Sequence, residues 1–352
     1  MSESSTPKNS RQFFIVAISI LVVVFLLLGI GVFSKKNSLS LPFVNSAQPI
    51  IKTGEEIFAK AQPSTVRIGV QLSGTVSTPE LVYDEVADDY YAGNKTLEEP
   101  ITTVLVGSGF IVNSKGYIVT NAHVVNVTDE MVRDFVWKKY SDQLYTKINQ
   151  ALSKNADQAT RDKYYQKVLN FVSRNGSINN LTYQIAVFNP EQKEGTYEDF
   201  VKKGFKAQLK KIGQPYPQLG KDIAILKIDK EGFPSLTLGS AKTLKPGGRI
   251  YVLGYPVVAD INDSGITEPT FTSGIVSAFK KSSQGDYDVI QIDANSSGGN
   301  SGGPAFNERG EIVGIATFGS TVKEGYNWIL PVEFAKEFLD ELNVKYLSSE
   351  TK

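Results

Sequence analysis

The longest hydrophobic pattern in the chain is an unbroken run. Residues 13–33, FFIVAISILVVVFLLLGIGVF, are 21 residues without a charge. Coiled as a helix they would be about 31 Å long, enough to cross a bilayer core. Secretory leaders carry shorter apolar cores of roughly 7–15 residues, and no A-x-A cleavage pattern follows closely. An uncleaved transmembrane helix at 13–33 is therefore expected, behind a short tail at 1–12. Lys8 and Arg11 precede it and Lys35 and Lys36 follow it, so flanking charge does not orient it. Residues 34–53 are polar with Pro42 and Pro49 and read as a linker.

Beyond the linker the period changes. GEEIFAKAQ, from Gly54, has helical spacing and stops before Pro63. TVRIGVQL (65–72) alternates and is rich in β-branched residues, the mark of a strand. ITTVLVGSGFIV (101–112) and YIVTN (117–121) read as a hairpin around Ser114, Lys115 and Gly116. Residues 77–99, with seven acidic residues and Lys95 as their one base, read as a solvated loop. From 128 to 174 a four-residue period takes over, with Val132, Val136, Tyr140, Leu144, Ile148 and Leu152 on one face. Thr128 suits an N-cap there, with Asp129 and Glu130 in the first turn. A second stretch from about Asp157 aligns Tyr164, Val168 and Val172, so a helical hairpin packed through its stripe is expected.

Short strands then recur between turn residues: LTYQIAVF (181–188), FKAQLKKI (205–212), IAILKI (223–228), and further ones to YNWILP. PVEFAKEFLDEL (331–342) closes the chain as a helix. Many short strands with Gly-rich turns indicate an all-β protein, as barrels or as a sandwich.

Composition narrows the chemistry. The 352 residues are 41% hydrophobic, enough for a substantial core, and the length suits one large β domain or two barrels sharing a cleft. Lys plus Arg equals Asp plus Glu at 37 each without a long basic run, so no nucleic-acid partner is expected. Cysteine is absent, which excludes disulfides and thiolate sites. His123 is the one histidine, which makes a zinc site improbable; no metal or cofactor is expected.

Near the end of the chain GGNSGGP (298–304) surrounds Ser301 with small residues. A serine hydroxyl becomes a nucleophile only when a base takes its proton, and His123 is the ordinary candidate. Asp222, at the mouth of the strand KDIAILKI, lies between them in sequence, giving the order His, Asp, Ser. GNSGG also fits the G-x-S-x-G elbow of α/β-hydrolases, but there histidine follows serine, and no histidine follows Ser301. The subtilisin order needs an aspartate before the histidine in a matching motif, and none is found. The chymotrypsin order remains.

TNAHVV, KDIAILKI, SGIVSAF and GNSGGP, in that order, resemble the trypsin-like serine proteases of the HtrA/DegP type. GSGFIV before the histidine, LGYP at 253–256 and ILPVEFAKEFLDEL after the last strand add to the likeness, which covers about 54–345. The resemblance implies two six-stranded antiparallel β-barrels of chymotrypsin type. The first would span about 64–230 with the helical insertion at about 128–174, the second about 231–330, with a C-terminal helix at 331–345.

It implies further that Ser301 attacks the scissile carbonyl, His123 moves the proton and Asp222 holds the imidazole. Gly299 and Ser301 would supply the N–H groups of an oxyanion hole. Thr317 matches a position whose hydroxyl supports the aspartate. Asn295 would lie at the base of the first substrate pocket, with Thr317, Phe318 and Gly319 along it, favouring uncharged side chains. In trypsin-type zymogens a freed N-terminus pairs with an aspartate just before the nucleophile; here Asn300 stands there, so another device must order that loop.

The chain departs from the family pattern in two ways. Only 51 residues follow Ser301, leaving no room for a PDZ domain, and 99 positions separate His123 from Asp222. Asn295-Ser296-Ser297 is a glycosylation sequon at the pocket base, which suits a non-glycosylating bacterial envelope. The expectation is a single-pass membrane protein with an extracytoplasmic endopeptidase domain acting on unfolded or regulatory proteins, and a homo-oligomer, a trimer by analogy. The alternative is a catalytically silent protease fold used as a binding or chaperone module.

Overall fold

The computed structural model describes residues 51–152, 156–188, 202–214, 221–256, 268–282, 287–319 and 326–350. All lie in one compact unit, Pro49–Lys352. The tail 1–12, the transmembrane helix expected at 13–33 and nearly all of the linker 34–53 lie outside the described residues. Among the described residues no helix is long and apolar enough to cross a membrane.

The described chain is tied down at Lys52, whose N–H donates to Glu308 O. Helix α1 (Gly54–Ala61) begins with a reciprocal cap: Thr53 Oγ1 accepts from Glu56 N–H, and the Glu56 carboxylate accepts from Thr53 N–H. Six strands follow in the first half: β1 (Thr65–Asp84), β2 (Asp89–Ile111), β3 (Tyr117–Thr120), β4 (Ser177–Phe188), β5 (Phe205–Ile212) and β6 (Ala224–Ile228). They close a barrel in the order β1-β2-β3-β6-β5-β4, with every pairing antiparallel. Alternation in β1 turns Val66, Ile68, Val70 and Leu72 into its interior.

The second half contributes β7 (Thr237–Leu238), β8 (Arg249–Gly254), β9 (Thr270–Lys281), β10 (Asp288–Ile292), β11 (Pro304–Phe306), β12 (Ile312–Gly319), β13 (Asn327–Pro331) and β14 (Leu347–Ser348). The antiparallel order β11-β8-β9-β10-β13-β12 closes on itself through β11–β12, giving a second six-stranded barrel. β7 and β14 extend it as parallel neighbours beyond β12. The chain is therefore two six-stranded antiparallel barrels in sequence, as expected of the chymotrypsin-type architecture.

One apolar cluster fuses the barrels. It takes Phe110, Val119, Ile223 and Ile225 from the first and Leu253, Phe306 and Ile315 from the second. Ile57 of α1 and Ala335, Phe338 and Leu339 of the last helix (Val332–Glu341) complete it. Full burial of each large side chain contributes about 1.5–3 kcal/mol, so this seam is a rigid base for whatever stands on its rim. Ile223 adjoins Asp222, and Val119 lies four residues before His123.

Residues 77–99 differ from the sequence expectation. They are not a loop: apart from the turn at 85–88, β1 and β2 continue through them as a ribbon, two-stranded from Thr78↔Leu97 to Asp84↔Asp89, with a shift of register between Pro79 and Leu81. Acidic residues disguised the strands because most of the ribbon stands clear of the barrel, where polar side chains cost nothing to expose. One face is covered by two helices, Asp129–Ala151 and Gln158–Asn175. Their Val132, Val136, Tyr140, Val168, Phe171 and Val172 pack with Leu72 and Val76, while Leu81 and Tyr90 of the ribbon lie against the same cluster. Caps start both helices: Thr128 accepts from Met131 N–H and Asp157 from Thr160 N–H. At the ribbon tip Asp88 takes Lys163 Nζ at 2.8 Å and Lys167 Nζ at 2.6 Å, and Tyr83 OH at 2.6 Å.

Candidate active site

His123 leaves the first barrel at the end of β3. Asn121 precedes a short helix, Ala122–Val125, whose Ala122, Val124 and Val125 are buried, so His123 is the residue turned outward. Its side chain is 34% exposed, whereas that of Asp222 is 1% exposed.

Asp222 stands just before β6 and gathers three donors. Its Oδ1 accepts from the backbone N–H of His123 at 2.8 Å. Its Oδ2 lies 2.7 Å from His123 Nδ1 and accepts from Thr317 Oγ1 at 3.0 Å. Asn121 Nδ2 donates to the Asp222 carbonyl at 2.7 Å, binding the two segments at a further point. A buried carboxylate needs such compensation. With Asp222 accepting, the proton of a neutral imidazole sits on Nδ1, and Nε2 keeps a free lone pair.

Ser301 lies on the turn before β11, and its hydroxyl donates to the Thr317 carbonyl at 2.6 Å. Thr317, in β12, thus touches Ser301 through its backbone and Asp222 through its side chain. Among the described residues no hydrogen bond joins Ser301 Oγ to His123.

The turn around Ser301 can be accounted for group by group. Asn300 N–H donates to Ser297 O, Gly302 N–H to Ala316 O and Gly303 N–H to Asn300 O. Ala316 N–H donates to Gly303 O. The Gly299 carbonyl accepts from Ser108 Oγ at 2.6 Å and the Ser301 carbonyl from Ser108 N–H at 2.8 Å. Among the described residues nothing accepts from the N–H groups of Gly299 and Ser301. Two residues in this turn have left-handed backbone, Gly299 at φ +102° and Gly302 at φ +88°. A Cβ on Gly302 would also overlap Ser108 O and Thr120 Oγ1.

Asn300 is buried, with Oδ1 packed so closely on Gly254 that a Cβ there would come within 2.6 Å. Tyr255 follows, and burial pushes its phenol well above the usual range, against the opposing influence of Arg67. Asn295 is exposed, and its carbonyl accepts from Thr272 Oγ1 at 2.9 Å. Phe318 and Gly319 end β12, and their side chains lie outside the described residues. His123, Asp222, Thr317, Ser301 and Gly299 therefore gather at the rim of the seam between the barrels.

Sequence reasoning passed over Ser108 and Asn121. Ser108 lies in GSGFIV and Asn121 in TNAHVV, both noticed for their resemblance, but a polar residue within a buried strand, or just past the end of one, is the physical signal that each serves a partner elsewhere.

Comparison with known proteins places this geometry. Residues 107–315 match the model of the trypsin-like peptidase domain. A probable periplasmic serine endoprotease, DegP-like, of Halomonas elongata is 28% identical over 242 residues, covering 67% of this chain and 35% of that protein. The mitochondrial serine protease HTRA2 of Drosophila pseudoobscura pseudoobscura is 26% identical over 270 residues, covering 74% of this chain and 44% of the relative. The chain thus spans under half the length of these curated relatives. A solved structure of the HtrA-type protease AlgW with a decapeptide aligns with TM-score 0.47 and 21% identity over 83% of this chain and 68% of that one. The family match takes in His123, Asp222 and Ser301 over more than half of the sequence: the chain belongs to the trypsin-like peptidase family, with HtrA/DegP-type proteins among its relatives.

Proposed function

We propose that this protein is a serine endopeptidase that cuts unfolded or regulatory proteins outside the cytoplasm, with Ser301, His123 and Asp222 as its catalytic triad. The observation that carries the reading is the double hold of Asp222 on His123, through the backbone N–H at 2.8 Å and Nδ1 at 2.7 Å. It fixes both the position of the ring and the tautomer, leaving Nε2 as the base.

In the reaction Ser301 Oγ gives up the Thr317 carbonyl for Nε2. The hydrogen bond given up is worth about 1 kcal/mol net, small beside the barrier being lowered. Oγ then forms a bond to the scissile carbonyl carbon as its proton passes to Nε2. The carbonyl oxygen becomes an oxyanion facing the N–H groups of Gly299 and Ser301, whose lack of internal acceptors suits that role. Collapse breaks the C–N bond, and Nε2 returns the proton to the leaving amine. Water, deprotonated by the same ring, releases the acyl group and restores Ser301. Asp222 stabilises the imidazolium throughout, with Thr317 Oγ1 holding it in place.

The apolar run at 13–33 would anchor the protein to a membrane, and the DegP-like relative named periplasmic supports a bacterial envelope location. Asn295, Thr317, Phe318 and Gly319 would border a substrate pocket for uncharged side chains, and a homo-oligomer is in keeping with the resemblance. The test is incubation of the protein with unfolded casein, with and without a serine-directed fluorophosphonate. Cleavage abolished by modification of Ser301 is expected; a protein that neither cleaves nor is labelled would be a binding module.

A further inference from the structure

Ser108 is wholly buried in β2, and each of its polar groups is engaged, its N–H and hydroxyl across the seam and its carbonyl within the first barrel. Its N–H donates to Ser301 O at 2.8 Å and its Oγ to Gly299 O at 2.6 Å. The same Oγ accepts from Tyr255 N–H at 2.9 Å, and its carbonyl accepts from Thr120 Oγ1 at 2.7 Å. One residue of the first barrel thus grips two carbonyls of a turn that lies 191 residues further along the chain.

That turn needs a grip. Gly298, Gly299, Gly302 and Gly303 give it the least intrinsic conformational preference of any segment of its length. The device that orders the corresponding turn when a freed N-terminus pairs with an aspartate is closed to this chain, because Asn300 has no charge to offset a buried ammonium. Capturing the Gly299 carbonyl fixes the plane of the peptide bond to Asn300, and capturing the Ser301 carbonyl fixes the next but one. The peptide plane between them carries the Ser301 N–H and is held through the Asn300 carbonyl, which accepts from Gly303 N–H, so Ser108 secures the planes on either side of it. The Gly299 N–H lies on the other side of the Gly299 Cα, two backbone torsions from the first clamp.

We infer that Ser108 is a positioning residue, whose hydroxyl and amide hold the Gly299–Ser301 turn so that its two unengaged N–H groups are ready for an oxyanion before substrate arrives. The inference rests on the serine endopeptidase reading. Preorganised donors at a developing charge are worth roughly 10²–10³-fold in rate when one is removed. Loosening the turn, rather than deleting a donor, should cost less than that.

The experiment is Ser108→Ala in the full chain, assayed on fluorescein-labelled casein together with the imidazole Nδ1 proton signal in the NMR spectrum, which a single histidine makes unambiguous. The expected result is a kcat lowered about 10–100-fold, KM within about threefold, and an unchanged imidazole signal, because the His123–Asp222 pair does not pass through Ser108. A folded variant with kcat within twofold of the parent overturns the inference and shows that Ser108 merely satisfies Tyr255 N–H. So does a loss of kcat accompanied by loss of the imidazole signal, which would be general disruption. Should the alanine variant not fold, Ser108→Cys, close in volume but with a weak donor, carries the same comparison with the same outcomes. If the parent protein neither cleaves casein nor reacts with a fluorophosphonate, the endopeptidase reading falls and this inference with it; a normal parent with an equally active variant removes the inference alone.

Discussion

The Ser301 hydroxyl donates to the carbonyl of Thr317 at 2.6 Å, and the Thr317 hydroxyl donates to Asp222 Oδ2 at 3.0 Å. One residue thus holds the proposed nucleophile at rest and steadies the carboxylate. Thr317→Val keeps the shape and the carbonyl but removes a donor from a buried carboxylate, which costs about 1–3 kcal/mol at that site. Kinetic assay should show kcat lowered about 5–50-fold with KM little changed, and Thr317→Ser should restore most of it. A valine variant as fast as the parent would mean that His123 alone suffices to orient Asp222.

Asp222→Asn should be more damaging. An amide can offer its NH₂ group to Nδ1, which drives the imidazole proton onto Nε2 and removes the base. For this family type the loss is about 10⁴-fold in kcat with the geometry retained. Circular dichroism should be unchanged while casein hydrolysis falls to near background; residual activity above a tenth would break the proposed assignment.

The ribbon and the helical hairpin should separate when Asp88 is replaced. Lys163 foremost, then Lys167 and Tyr83, hold its carboxyl well below the usual carboxylate range by hydrogen bonding. A depressed folded-state pKa contributes stability that is fully present above the unfolded value, about 4, and is lost as pH falls towards the folded one. Asp88→Ala should speed amide exchange in 157–175 at neutral pH and leave casein cleavage intact. The difference in melting temperature from the parent should shrink on acidification to about pH 2. A difference that grew on acidification would show that the latch is not electrostatic.

Shortened forms beginning at different residues between 34 and 50 should fold and have similar specific activity. The described structure is fastened at Lys52 and Thr53, and Asn300 offers no carboxylate to a new N-terminus. Measurement of casein hydrolysis at equal concentration decides it. A sharp gain at one particular N-terminus, abolished by acetylating it, would contradict the account.

Much of this architecture was legible because burial leaves a period in the sequence. Alternation in 65–72 and the apolar run in 223–228 come from strands lining barrel interiors, and the stripe from Val132 to Tyr140 from a helix lying on a sheet. The order of His123, Asp222 and Ser301 narrowed the chemistry because each order belongs to a different fold. The ribbon at 77–99 was misread because its cover comes from helices more than 30 residues away, so charge density outweighed a faint alternation. Phe171 was passed over for its neighbours at four-residue spacing, although a helix buries the three-residue neighbour too. A polar residue in a buried strand signals that Ser108 has a distant partner, but nothing local identifies that partner as Gly299, 191 residues away.

The central claim is that Ser301 is made nucleophilic by His123. The most direct measurement is the second-order rate of labelling by a fluorophosphonate, taken alongside casein hydrolysis, for the parent, Ser301→Ala and His123→Ala. The parent should be labelled at one site, Ser301. Ser301→Ala should take no label, and both variants should lose casein hydrolysis by roughly 10⁴-fold or more, because the sequence holds no second histidine to substitute. Labelling of His123→Ala at the parent rate, or undiminished casein cleavage by either variant, would contradict the account.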